Sequence, residues 1–233
     1  MRIKNKEFVI ALGGSVICPK EIDSSYLRRF FRFIKKEIKK GHKFIIVTGG
    51  GYTARDYQRV SMAINSASKK DRDWLGVYAT KLNACLLKTI FKKEANPTIF
   101  DERFKIKVFG SYSVIIGSGW KAGNSTDYVA VRIANDFKVR RVIILGKPDH
   151  VYTSDFQKDK KARPIEKIIW KDYFKLIPFL WSPGLSVPID PVAARLAEKE
   201  NMEVIVASGK DLNNLKMILE EKKFKGTIVK SKN

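Results

Sequence analysis

The chain has few of the residues on which several kinds of site depend. It contains only two cysteines, Cys18 and Cys85, and two histidines among 233 residues. Two isolated cysteines form neither a disulfide framework nor a metal-ligand spacing. No histidine stands beside Cys18 in the sequence, so a cysteine–histidine nucleophile has little support. This cysteine usage is typical of a reducing, cytoplasmic environment.

Long apolar runs are also missing. No stretch approaches the roughly 18–20 residues of a membrane span, and glycines interrupt the first apolar segment, residues 8–16. We therefore expect neither a membrane anchor nor a secretory signal. Apolar residues nevertheless make up 44% of the chain and recur in short runs, which excludes disorder as the main state.

Acidic residues are greatly outnumbered. There are 24 Asp and Glu against 46 Lys and Arg, which gives a net charge of +22. Such a balance favours polyanions in general. The basic residues, however, are spread in short groups through helix-like segments, and no nucleic-acid-binding motif accompanies them. We interpret them as solvated helix faces and do not expect nucleic acid to be a partner.

The chain does contain short apolar runs that alternate with amphipathic segments. The runs predict strands at 8–12, 44–48, 114–116, 141–145 and 204–207, and the amphipathic segments predict helices at 25–40, 74–91, 127–137, 191–200 and 212–221. Continuous apolar strands between helices indicate a mostly parallel sheet covered on both faces. We predict an α/β fold, a three-layer αβα sandwich, in a single domain over 1–233. Its two lobes would span about 1–140 and 141–233.

Two glycine-rich turns follow the first two predicted strands. The first reads Gly13-Gly14-Ser15, and the second reads Gly49-Gly50-Gly51 and is followed by Arg55. Because glycine has no Cβ atom, its backbone N–H can approach an anion closely. Ligands of such sheets lie at the carboxyl ends of the strands. Two neighbouring turns of this kind predict a site shared by two phosphate-bearing groups.

A polar loop, residues 117–127, follows the third predicted strand and ends at a helix start. Thr126 and Asp127 there would either cap the helix or act at the site. In the second case Ser125 and Thr126 would donate to a phosphate, and Asp127 would lie close to the transferred group. Asp190, directly before Pro191, presents the same choice between an N-cap and a functional acid. These residues alone leave both interpretations open.

In their order and spacing, these motifs resemble the amino acid kinase superfamily, and within it the archaeal branch of the uridylate kinases. The resemblance runs nearly end to end through segments 12–16, 49–55, 73–84, 123–127, 151–155, 189–194 and 226–228. It implies the amino acid kinase fold and transfer of a phosphate from ATP to UMP in the presence of Mg²⁺, with no protein metal site assigned. It also implies an acceptor-binding N-terminal lobe, an ATP-binding C-terminal lobe and a cytoplasmic homo-oligomer, hexameric in most relatives.

The resemblance also implies roles for individual residues. The residues expected to bind ATP are Gly14, Ser15, Gly51, Arg55, Gly146, Lys147, Tyr152 and Asp155. Those expected to bind UMP are Gly50, Asp73, Trp120, Lys121, Ala122, Gly123, Asn124, Ser125 and Thr126. The expected catalytic residues are Asp127, Asp190 and Arg55.

Three departures from the family pattern keep alternatives open. Ala11 stands where many relatives have a lysine, a residue that archaeal uridylate kinases also lack, and Lys121 and Lys147 are candidate substitutes. The ATP loop reads Lys147-Pro148-Asp149-His150, and residues 96–113 are unlike the family. The alternatives are a related kinase with another small acceptor and a nucleotide-binding regulator or assembly protein that has lost catalysis. Asp73 favours a ribose-bearing acceptor, and no histidine lies near 49–51, which disfavours an isopentenyl phosphate kinase.

Overall fold

The computed structural model describes residues 6–156, 158–180, 182, 185 and 187–232. The strands found there are β1 (Glu7–Leu12), β2 (Lys43–Thr48), β3 (Val114–Gly117), β4 (Arg141–Gly146), β5 (Val151–Tyr152), β6 (Pro164–Ile165), β7 (Lys167–Ile169), β8 (Glu203–Ser208) and β9 (Thr227–Lys230). The helices are α1 (Gly14–Ile17), α2 (Ser24–Ile38), α3 (Gly51–Asn65), α4 (Lys69–Ile90), α5 (Thr126–Asp136), α6 (Trp170–Tyr173), α7 (Pro191–Lys199) and α8 (Leu212–Leu219). None of these helices has the length and apolar character needed to cross a bilayer.

Seven strands form the central sheet in the order β3-β2-β1-β4-β8-β9-β7. The first five run parallel to one another, β9 runs antiparallel to β8, and β7 pairs with β9 in parallel. Ala11 in the middle of the sheet pairs with Val47 on one side and Ile144 on the other. β5 and β6 make a separate antiparallel pair. The mostly parallel sheet predicted from the sequence is confirmed.

Helices cover both faces of this sheet. Alternate residues of β1 point to opposite faces, so Val9 and Ala11 pack with residues of α5 and α7, whereas Ile10 and Leu12 pack with residues of α2, α4 and α8. A central strand that is buried on both faces needs apolar side chains at every position. This is why the strands read as unbroken apolar runs and why the three-layer architecture could be predicted.

Helix α2 shows how local sequence sets the helix boundaries. The Asp23 carboxylate accepts a hydrogen bond of 2.8 Å from the Tyr26 N–H and caps the first turn. Phe30 and Ile34 continue the buried stripe on the same face. Gly41, with φ of 89°, lies just beyond the helix, as expected for a residue that must adopt the left-handed region.

Several elements differ from the sequence prediction. Helix α3 was not predicted, nor were the edge strand β7 and its neighbour β9. Helix α4 begins at Lys69, five residues before the predicted start, because the Ser68 hydroxyl accepts from the Asp71 N–H and caps it there. As a result Asp73 lies inside a helix and projects from a rigid element.

The end of α5 carries a lysine in a conformation that favours glycine. Lys138 has φ of 61°, and the following Val139 N–H donates to the Ala134 carbonyl at 2.8 Å, which closes the helix end. We expect Lys138→Gly to raise the free energy of unfolding by about 1 kcal/mol, since a Cβ atom in this region is strained. Chemical denaturation measures this change. Asn201, at φ of 49° beyond α7, is the matched control: Asn201→Gly should gain less, because asparagine tolerates this region. Equal gains at both positions would contradict the explanation.

Candidate active site

The two glycine turns lie in direct contact at the carboxyl ends of β1 and β2. A Cβ atom placed on Gly14 would lie 1.9 Å from the Gly51 backbone nitrogen and 2.5 Å from its Cα. The Gly49 N–H donates to the Leu12 carbonyl at 2.9 Å, and Gly51 has φ of 67°. Only residues without Cβ atoms allow the two backbones to approach this closely. The two predicted phosphate cradles therefore form one continuous surface.

Buried polar side chains support the second turn from α4. The Asn83 side-chain amide donates to the carbonyl of Gly49 at 2.7 Å and to that of Gly50 at 3.3 Å. The Thr80 hydroxyl accepts from the Gly119 N–H at 2.8 Å. This hydrogen bond attaches the polar loop 117–127, the predicted acceptor loop, to the same helix. Asn83 and Thr80 were not predicted as site residues. The sequence signal that could have identified them is their position in the motif 79–84, which is one of the segments that resemble the family.

Asp73 lies on α4 and faces the acceptor loop. Its carboxylate accepts a short hydrogen bond from the Gly123 N–H, and only 8% of the residue is exposed. Burial raises the pKa of Asp73, and the Gly123 hydrogen bond partly opposes that shift. A carboxylate in this position can accept hydrogen bonds from hydroxyl groups of a bound ligand.

The predicted acceptor residues in the loop have different environments. The Trp120 indole N–H donates to the Phe100 carbonyl at 3.2 Å, and the two rings lie 5.9 Å apart. This tryptophan is therefore committed partly to packing. Lys121 and Gly123 are exposed, whereas Ala122 and Asn124 are half-buried. The loop thus has a side fixed to the core and a side open to a ligand.

Ser125, and not Thr126 or Asp127, caps helix α5. Its hydroxyl accepts from the Tyr128 N–H at 3.0 Å and donates a short hydrogen bond to the Asp190 carboxylate. Asp190 in turn caps α7, where Oδ1 accepts from the N–H groups of Val192 and Ala193 at 2.8 and 3.1 Å. The helix starts of α5 and α7 are therefore joined by one pair of side chains, and the capping interpretation of Asp190 is correct.

Asp127 is the neighbouring acid in this cluster. Burial raises the pKa of the Asp127 carboxyl, and the negative charge of Asp190 raises it further, although a backbone hydrogen bond from Asp190 opposes the shift. Two carboxylates close together favour a cation or a proton between them. This pair is consequently an electrostatic site that a positively charged group would stabilise.

A second concave region lies beyond β4. This cavity of about 390 Å³ is lined by Lys147, Pro148, Asp149, Tyr152, Phe156, Ser208, Asp211, Asn214 and Lys225. The rings of Tyr152 and Phe156 stack with their centroids 4.8 Å apart. Aromatic faces beside polar groups suit a nucleoside base and its sugar. Of the predicted ATP residues, Lys147 and Tyr152 line this cavity and Gly146 directly precedes it, whereas Asp155 is exposed and lies 3.8 Å from the Lys158 ammonium group.

Asp149 is the charged centre of this cavity. The Lys225 ammonium lies 2.8 Å from one carboxylate oxygen, and the Tyr152 hydroxyl donates to the other at 2.7 Å. Burial opposes ionisation of Asp149, but these contacts outweigh it and hold its pKa well below the usual range. The hydrogen bond to Asp149 raises the pKa of Tyr152 to about 12. Lys225 and Phe156 were not predicted as site residues. Lys225 lies two residues before β9, a strand that was not predicted either.

Ala11, at the position where the family pattern has a lysine, is a core residue. Ala11 is 3% exposed and packs in the core on the side of α5 and α7. Arg55, Lys121 and Lys147 are all exposed, and none of the three makes an ion pair with any residue that the structure describes. They remain free to turn toward a bound anion.

Comparison with known proteins places the chain in a family. The model of the amino acid kinase family matches residues 6–208. A uridylate kinase of Thermoplasma volcanium is 35% identical over 98% of this chain and 99% of its own length, and that of Thermoplasma acidophilum is 31% identical over 97% of each. Among solved structures, the uridylate kinase of Archaeoglobus fulgidus has a TM-score of 0.78 at 24% identity, covering 97% of this chain and 100% of its own. The UMP kinase of Ureaplasma parvum has 0.79 at 22%, covering 98% and 100%.

These structural neighbours share the fold, and the sequence relatives align over nearly their whole length. The family match covers most of the chain and includes both glycine turns, Asp73, Asp127 and Asp190. The chain therefore belongs to the amino acid kinase family.

Proposed function

We propose that the protein transfers the γ-phosphate of ATP to UMP, which gives UDP and ADP, and that it does so in the cytoplasm as part of pyrimidine nucleotide synthesis. The observation that carries the proposal is the contact between the two glycine turns. Two phosphate cradles that share one backbone surface can hold a donor and an acceptor phosphate side by side. The curated relatives named uridylate kinase support UMP as the acceptor.

In the proposed reaction an oxygen of the UMP phosphate attacks the γ-phosphorus as the bond to the bridging oxygen of ADP breaks. Catalysis of such a transfer is mostly positioning and charge neutralisation. Gly14 and Ser15 would face the ATP phosphates, Gly50 the UMP phosphate, and Gly51 the space between them. Arg55 would supply positive charge, since its guanidinium is free to turn toward the phosphates. Asp73 would accept hydrogen bonds from the ribose hydroxyls of UMP.

The residues present fit a magnesium ion that arrives with ATP. The part of the chain that the structure describes has no group of three metal-ligating side chains, but Mg²⁺ is commonly held by one or two carboxylates together with substrate phosphates. Both Asp190 oxygens already accept hydrogen bonds, so Asp127 is the carboxylate that would hold the ion. The ion would neutralise charge on the transferred phosphoryl group.

A coupled assay that follows ADP formation tests the proposal. The purified protein is supplied with MgATP and, in turn, with UMP, CMP, AMP and GMP. We expect turnover with UMP to exceed that with the other three. No turnover with any of them, from protein shown to be folded, would contradict it. Tight UMP binding without transfer would instead favour a regulator or assembly protein, the interpretation that Ala11 raises.

We also propose that the protein is a homo-oligomer, as the family resemblance implies, with a hexamer as the expected form. Helices α3 and α4 together expose seven large apolar side chains, which are Tyr52, Tyr57, Val60, Met62, Ile64, Tyr78 and Leu82. The two helices lie side by side, since the Gln58 amide of α3 donates to the Arg72 carbonyl of α4 at 2.7 Å. Exposed apolar groups at helical spacing are typical of a surface that another subunit covers.

A charge placed in this group should weaken the assembly. We expect Ile64→Glu to lower the mass measured by light scattering after gel filtration, because the carboxylate would have to be buried at the interface. The matched control is Val108→Glu, since Val108 is 70% exposed and Ile64 is 79% exposed. An unchanged mass for Ile64→Glu, or an equal loss for Val108→Glu, would argue against α3 and α4 as the interface.

A further inference from the structure

The hydroxyl group of Tyr173 completes the backbone hydrogen bonding of a residue next to the active site. Tyr173 ends α6 and is fully buried. Its oxygen accepts from the Ile189 N–H at 2.8 Å and donates to the Ile189 carbonyl at 2.7 Å. Buried backbone groups need such partners. The Tyr173 hydroxyl thus pairs with both backbone groups of Ile189, a residue 16 positions further along the chain.

Ile189 directly precedes Asp190, which is held from the other side. The Asp190 carboxylate caps α7 and accepts from the Ser125 hydroxyl of α5. Residues 189 and 190 are therefore fixed twice, through the backbone by Tyr173 and through the carboxylate by the two helix starts. The platform beneath is rigid, because Trp170 of α6 is also fully buried, and its ring meets that of Tyr173 edge to face at 6.0 Å.

Asp190 is hydrogen-bonded to Ser125, the cap of α5 that stands two residues before Asp127, so a shift of the 189–190 segment would disturb the helix start that carries Asp127. The placement of these acids matters, since an error of about 1 Å in a reacting group can lower a rate about 100-fold. We propose that Tyr173 is a positioning residue that fixes Asp190 relative to Asp127 during phosphoryl transfer. This role rests on the proposed function, and Tyr173 itself touches no substrate.

Tyr26 provides a matched comparison within the same chain. It is 1% exposed, but its hydroxyl has no hydrogen-bond partner among the residues that the structure describes. Removing the Tyr26 hydroxyl deletes no hydrogen bond to a described residue. Removing the Tyr173 hydroxyl leaves the Ile189 N–H and carbonyl unpaired. Both variants lose a buried hydroxyl group, but only Tyr173→Phe also loses hydrogen bonds. Comparing the two variants therefore separates the effect of the hydrogen bonds from the effect of removing a buried hydroxyl.

The test combines kinetics with amide hydrogen exchange, both well below the unfolding midpoint of each variant. For Tyr173→Phe we expect kcat to fall about 5–20-fold, with KM for ATP and for UMP within about twofold of the wild type. Exchange should accelerate at least about tenfold at the amides of Ile189, Val192 and Ala193. Tyr26→Phe should change neither kcat nor exchange. If Tyr173→Phe is too unstable to isolate, both are compared in the Lys138→Gly background.

An unchanged kcat, a change confined to KM, or unchanged exchange at these amides would overturn the proposal. A partly unfolded population would itself lower the apparent kcat at unchanged KM, so kcat is calculated per folded protein, with the folded fraction measured by circular dichroism. Faster exchange confined to residues 189–193 then distinguishes a local effect from general destabilisation. If the wild-type protein phosphorylates none of the nucleoside monophosphates, the proposed function fails. The exchange experiment then decides only whether Tyr173 restrains residues 189 and 190: faster exchange supports that restraint and unchanged exchange rejects it.

Discussion

Replacing Asp127 with asparagine should nearly abolish phosphoryl transfer and yet make the protein more stable. Asparagine keeps the shape of the side chain but removes the charge that would hold the magnesium ion. We expect kcat to fall on the order of 100-fold or more, the usual effect of deleting one electrostatic group at a transferring centre. Steady-state assays at saturating MgATP and UMP measure this loss.

The stability gain follows from the raised pKa of Asp127, which burial and Asp190 cause. A carboxyl group whose pKa is higher in the folded than in the unfolded state costs stability once the unfolded chain ionises, from about pH 4 upward. The cost grows as the pH rises and becomes constant above the folded pKa. Asp127→Asn removes it, so the variant should match the wild type near pH 4 and exceed it by roughly 1–3 kcal/mol at high pH.

Asp136→Asn on the same helix is the control for both measurements. Asp136 lies at the opposite end of α5, where its carboxylate accepts two hydrogen bonds from Arg103, at 2.8 and 3.0 Å. Its replacement should leave kcat unchanged and should not reproduce the pH-dependent gain. Full activity in Asp127→Asn, or a stability difference that shrinks as the pH rises, would contradict the role assigned to Asp127.

The layers of the fold could be predicted because the central strands are buried on both faces. Residues 8–12 and 44–48 carry unbroken apolar runs that only a doubly covered sheet explains. Strands β7 and β9 escaped prediction because they have only three and four residues and each contains a lysine, so neither forms an unbroken apolar run. Helix α3 escaped because only Gly51 and Ala54 within it are buried, and such a helix has no apolar stripe to recognise.

At the candidate site, the glycine turns and acids were found from motifs, but their partners were not. The choice of Ser125 as the cap depends on a helix start that sequence patterns locate only to within a few residues. The hydroxyl of Tyr173 meets Ile189 through tertiary packing, and no periodicity links positions so far apart. The residues of the candidate site could therefore be named from sequence motifs. The groups that hydrogen-bond to them could be identified only from the fold.

Gly14 is the glycine at which an added side chain would come closest to backbone atoms. In Gly14→Ala the new methyl would lie 1.9 Å from the Gly51 nitrogen and 2.7 Å from the Gly49 carbonyl carbon. Both atoms belong to backbone, which cannot rotate away as a side chain can. We expect a loss of about 3 kcal/mol or more in the free energy of unfolding, and a loss of ATP binding in any protein that stays folded. Thermal unfolding and isothermal titration with an ATP analogue measure the two effects.

Gly146→Ala is the matched control for Gly14→Ala. It shows the effect of adding a methyl group at this end of the sheet where the methyl clashes with nothing. A methyl on Gly146 would meet only the Pro148 Cδ atom at 3.5 Å, an ordinary contact, so stability should change by less than about 1 kcal/mol. If Gly14→Ala were equally mild, the two turns could separate without cost, and a shared phosphate surface would lose its structural basis. If it is as severe as expected, donor and acceptor cradles are parts of one rigid unit. Their spacing is then set by backbone contact, so the distance between the two phosphates is fixed before either nucleotide binds.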